Sequence, residues 1–188
     1  MSLVELIAQA DERGLAASGL ACLDRCVPVL GGDDDLLRPL WARLAEGGDW
    51  GGPLAEARSA LTPAPRAPGA SGEATALARR MLDAVPAGQS GPAVREWADG
   101  CSVAALQVHR LLDAAPWGSA RPVTARREGR TDGMSPLVAA ELRRQIRILE
   151  LLAAKDTGAD GLRQALDVSR EGRRVLRAVV SRRARGRH

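Results

Sequence analysis

Few side chains in this chain of 188 residues could do chemistry, and they lie far apart in the sequence. A zinc site would have to be drawn from Cys22, Cys26, Cys101 and His109, because three cysteines and two histidines are the only soft ligands present. Cys22 and Cys26 stand one helical turn apart, no CxxC pair occurs, and two distant helices would have to converge. Small thiols on core faces are the simpler reading, so no metal ligand is assigned. His109 precedes Asp113 by one turn, a spacing at which a carboxylate can orient an imidazole as a general base, or merely satisfy it at the edge of a core. With Trp97 three turns earlier on the same helix, the two mark the only candidate ligand pocket. There is no tyrosine, and no Gly-rich phosphate loop, nucleophile elbow or HExxH pattern. No catalytic residue and no cofactor is assigned.

Two local motifs are similar to known ones and depart from them. Asp33, Asp34 and Asp35 resemble the aspartate-rich metal motif of helical prenyl-chain and terpene enzymes, but the DDxxD pattern needs an aspartate where Leu37 stands. Compensation of a helix dipole explains the triplet, since anions near a helix N-terminus stabilise by roughly 0.3–1 kcal/mol. Gly100, Cys101 and Ser102 resemble the Gly-Val-Ser turn of repressor helix-turn-helix units. Val108 and Arg110 break that pattern, and the apolar heptad runs through Gly100, which predicts one continuous helix.

The densest charge pattern is basic. Arg163, Arg170, Arg174 and Arg177 are spaced by seven, four and three and share a helix face, and Arg182, Arg183, Arg185 and Arg187 continue it. Such a stripe can neutralise phosphates without reading sequence, or meet an acidic protein surface. Asp167 and Glu171 are placed to pair with Arg163 and Arg174 inside the helix, which would leave part of the stripe as an ordinary solvated face.

The elements that must position these residues are all helical. Ala, Leu and Val dominate, four tryptophans are the only aromatics and Phe is absent, a palette that favours helices over sheets. Val94, Trp97, Cys101, Ala104, Val108, Leu111 and Ala115 predict a long helix over 92–115 that packs on two sides. Ser2 and Ser135-Pro136 are helix starts, Gly14 is placed to end the first helix, and Trp50 is expected to plug a glycine loop. Pro63, Pro65 and Pro68 break regular structure and mark a boundary, and the bare PxxP there carries no weight.

The expected architecture is an all-α irregular bundle of about eight helices. An acidic N-terminal group (1–62) and a proline-rich linker (63–70) precede a larger bundle (71–181) holding a mobile basic loop (119–134), and an Arg-rich tail (182–188) closes the chain. Residues 1–62 carry five Arg against ten Asp and Glu, a net of −5, and residues 119–188 carry seventeen basic against eight acidic side chains, a net of +9. Either the two ends face each other, or the basic end meets an anionic partner. No leader, transmembrane run or disulfide framework is apparent, so a cytoplasmic location is expected. The preferred function is a non-enzymatic interaction or regulatory module binding a protein partner or acidic surface. The alternatives are a sequence-independent nucleic-acid-associated protein, and a small-molecule-binding protein or minor enzyme with a pocket near Trp97 and His109.

Overall fold

The computed structural model describes residues 1–61, 69–113, 122–154 and 158–186. Most of the proline-rich linker, its PxxP pattern, Ala115, Trp117 and Arg187 lie outside the described residues. Among those described there are nine α-helices, one 3₁₀ turn (Val27–Leu30) and no strand. The protein is an all-α bundle, and no described helix is long and apolar enough to cross a membrane.

Local chemistry starts each helix. Ser2 opens α1 (Leu3–Gln9) with a capping box: its hydroxyl accepts from Glu5 N, and the Glu5 carboxylate accepts from Ser2 N at 2.6 Å. Gly14 does not end α1. Asp11 caps the next helix, α2 (Glu12–Cys26), by accepting from Gly14 N at 2.7 Å, so Gly14 lies in the first turn of α2. After the 3₁₀ turn come α3 (Arg38–Glu46), with Pro39 in its first turn, and α4 (Gly51–Ala60). Trp50, just before α4, is wholly buried and donates to the Pro86 carbonyl at 3.0 Å. The Asp triplet does not cap α3, whose N-cap is Leu37 without a side-chain bond. Asp33 accepts instead from Asp35 N at 2.8 Å.

The second half contains α5 (Gly69–Asp83), α6 (Pro92–Leu112), α7 (Val123–Arg127), α8 (Pro136–Ala153) and α9 (Gly158–Arg185). Helix α6 is continuous through Gly100, as the heptad requires, and ends at Leu112, where Asp113 turns extended. Ser135 caps α8 by accepting from Val138 N. The segment expected as a mobile basic loop holds α7, in which Val123, Ala125, Arg126 and Arg127 are buried. Arg126 donates to the carbonyls of Arg130 and Asp132, and Arg127 pairs with Asp99 of α6. Guanidiniums seated on backbone oxygens give no apolar periodicity, which is why the sequence reads as a loop there.

The centre of the bundle is α2 rather than α6. Every residue of α2 from Gly14 to Cys26 is buried, the signature of a helix enclosed on all sides, and α6, α8 and α9 pack around it. Two glycines permit this. A Cβ at Gly19 would overlap the Trp97 ring of α6, and one at Gly172 of α9 would overlap the Arg25 side chain. Helix α5 packs on the outer side of α6 and α1 on α8. Buried side chains from Leu3 to Leu176 form one apolar cluster, so the acidic N-terminal stretch and the later helices share a core.

Candidate functional site

Inside that core lies a polar network built on two adjacent residues of α2. Arg25, with no exposed surface, forks onto Glu141 of α8: Nε donates to Oε2 at 2.8 Å and Nη2 to Oε1 at 2.7 Å. This bidentate geometry is the strongest form of ion pair. One turn along α8, Gln145 donates to Glu141 Oε1 at 2.9 Å and to the Ser102 carbonyl, while its own oxygen accepts from Ser102 Oγ at 2.6 Å. Burial alone would raise the Glu141 carboxyl, but the Arg25 charge, His109 and the Gln145 bond outweigh it and hold the pKa at about 2.

His109 faces this pair and is fully buried, not placed at the edge of a face. Its Nδ1 lies 2.7 Å from the Ala105 carbonyl, which can only accept, so Nδ1 carries the proton. Nε2 is then a lone pair, 3.5 Å from Glu141 Oε2 and without a hydrogen bond. Burial lowers the His109 pKa, the nearby Glu141 charge and the Ala105 bond oppose this, and Arg25 and Arg144 lower it further; the balance keeps the ring neutral.

On the opposite side of α2, Asp24 reaches α9. It accepts from Ser169 Oγ at 2.8 Å and pairs with Arg173 Nη1 at 2.5 Å. Burial raises the Asp24 pKa against the pull of Arg173. Outward from Arg173, Asp34 sits 3.2 Å from its Nε and 2.8 Å from Arg177 Nη2. One member of the acidic triplet therefore anchors the basic helix, which joins the acidic and basic ends of the chain directly.

Four of the seven described arginines of the stripe have partners within the molecule. Arg177 also donates to the Gly32 carbonyl, and Arg183 to that of Leu112. Arg163 pairs with Asp160 and Arg170 with Asp167, while Glu171 pairs with Arg144 of α8 rather than with Arg174. Arg174, Arg182 and Arg185 are exposed and make no ion pair among the described residues. The three cysteines are free and buried, and burial pushes Cys22 to about 12 and raises Cys26 and Cys101 too, so none is a thiolate at neutral pH. No group of three or more His, Cys, Asp or Glu among the described residues could hold a metal ion.

Trp97 belongs to a different place from His109. Twelve residues of α6 separate them by about 18 Å of rise and a third of a turn, and only Trp97 borders open space. That space is a groove of about 880 Å³ between α5 and α6. Leu77, Met81 and Ala84 form one wall, and Trp97, Gly100 and Ala104 the floor and the other wall, with Arg80, Glu96 and Gln107 at the rim. Trp97 is fixed by donating to the Met81 carbonyl at 2.9 Å and by edge-to-face contact with Trp50, centroids 5.9 Å apart.

The residues of the network that sequence reading missed are Asp24, Arg25, Glu141 and Gln145. A signal for part of it exists: Ser169 and Gly172 fall in phase with Leu162, Ala165 and Leu176, all buried, and a polar residue in phase with a core seam marks a buried partner elsewhere. Compared with protein-family models, curated proteins and solved structures, the chain matches none.

Proposed function

We propose that the protein is a helical interaction module that binds another macromolecule through the groove between α5 and α6. The observation that carries this reading is the groove itself, an apolar concavity of about 880 Å³ with few, rim-placed polar groups, the form that specific recognition surfaces take on helical scaffolds. The buried network supports it indirectly. Arg25, His109 and Glu141 have no exposed surface, so they meet no substrate and act as a scaffold that fixes how α2, α6 and α8 pack.

Affinity capture from the native host after nuclease treatment, with wild type and Gly100→Arg side by side, tests the reading. Protein partners retained by the wild type and lost with Gly100→Arg are expected. Equal capture by both would remove the groove from the function.

A second reading is supported by Arg174, Arg182 and Arg185, exposed cations of α9 that make no ion pair among the described residues. They suit sequence-independent contact with phosphates. Three such contacts give a log–log salt slope of about −2 to −3. Fluorescence anisotropy of a labelled oligonucleotide across salt, with the triple Arg→Glu variant, measures it, and no binding at low salt would eliminate this reading.

A further inference from the structure

We propose that the occupant of the groove is an amphipathic α-helix of a partner protein. It would be about four turns long, small where it crosses Gly100, with an acid opposite Arg80 and a base opposite Glu96. This rests on the groove being the binding surface and goes further by naming what fills it.

Helix α6 carries two seams. Val94, Cys101, Ala105, Val108 and Leu112 are buried toward the core. Ala93, Glu96, Gly100, Val103 and Gln107 follow the same alternation of three and four and line the groove instead. Across it, Leu77 and Met81 of α5 stand one turn apart, and Ala84, in the turn that follows the helix, continues that wall. Two walls with helical periodicity leave ridges and grooves that a third helix fills at a shallow crossing angle, whereas an extended peptide or an acyl chain has no use for that register. From Ala93 to Gln107 the seam rises about 21 Å, the length of about four helical turns.

Gly100 points the same way. Gly19 and Gly172 are explained within the chain, because Trp97 and Arg25 occupy the space of a side chain there. Gly100 is exposed, and a Cβ on it would meet nothing within 4 Å. In the free protein it only weakens the middle of α6. A helix backbone approaching closely from outside gives that glycine a purpose. The rim adds polarity: Arg80 on α5 and Glu96 on α6 are exposed, opposite in sign, and without an ion pair among the described residues.

The probe is a displayed library of random 16-residue peptides, selected on the full chain and counter-selected against Gly100→Arg, or against Glu96→Arg if the first variant does not fold. Enriched peptides are expected to show apolar spacing of three and four, to gain helical circular dichroism on binding, and to lose binding when proline replaces a central residue. Gly100→Ala should raise the Tm of the free protein by about 2–4 °C while weakening these peptides about tenfold. A merely structural glycine would not give these opposite signs. Gly100-dependent binders that lack helical spacing or tolerate the proline would overturn the helix and leave the groove reading standing. Absence of any Gly100-dependent binder would overturn both. A dimer in sedimentation that Gly100→Arg splits would assign the groove to a second copy of this chain and overturn the partner helix.

Discussion

Arg25 and Glu141 are two charges with no exposed surface, held by paired bonds at 2.7 and 2.8 Å. Their desolvation is costly, so the pair specifies packing more than it stabilises the fold. Glu141→Leu strands the guanidinium and is expected to cost about 3–5 kcal/mol, whereas Arg25→Met combined with Glu141→Leu recovers most of it. Urea unfolding of the two singles and the double measures this, and additive losses would refute the coupling. The same residues set the acid limit. Glu141 titrates near 2 against 4.5 unperturbed, so it contributes stability above pH 4.5 that is lost as pH falls toward 2, on the order of 3 kcal/mol. His109 is depressed below 6.5, so the unfolded chain takes its proton first and stability drops as pH falls from about 6.5. Asp24 is raised above 3.8 and works in the opposite direction. The urea midpoint should therefore fall between pH 7 and 5, and His109→Gln should flatten that fall. An unchanged slope in the variant would show that another group is responsible.

At the scale of elements, caps and periodicity placed every described helix but α7, and partners elsewhere decided their roles. Ser2 and Ser135 cap α1 and α8 because a side-chain oxygen and an amide three residues on need nothing else. The seam of α6 was readable for the same reason, since Val94, Cys101 and Val108 recur on one face. What could not be read was that α6 flanks a more enclosed helix. Helix α2 contains Asp24 and Arg25, and charged residues lower its apparent apolarity until Ser169, Arg173 and Glu141 are known to receive them. Val108 has no exposed surface, so Val108→Asp buries an unpaired carboxylate and is expected to cost more than about 4 kcal/mol. Loss of the cooperative thermal transition at 25 °C or a large fall in its midpoint would be observed; a midpoint close to wild type would place that face in contact with solvent.

For the whole molecule, the shared core predicts that residues 69–188 do not fold alone. Removing α2 exposes the faces of α6, α8 and α9 that it covers and leaves Glu141 and Arg173 without Arg25 and Asp24. The fragment should lack a sharp unfolding transition and disperse poorly in its amide NMR spectrum, while the full chain unfolds in one step. Two separate calorimetric transitions in the full chain would contradict this. Capping, helical spacing and composition act within a few residues, so the amino-acid sequence was enough to establish that the protein is all-α, where α1, α6 and α8 begin, and that its N-terminal and C-terminal stretches are opposite in charge. Tertiary contacts decided that Asp34 joins those stretches, that Arg177 and Arg183 are spent on partners far away in the chain, and that Trp97 borders a groove while His109 is sealed inside. Each of these depends on a side chain such as Glu141, 116 positions from Arg25, and neither helical periodicity nor local propensity carries information across that distance.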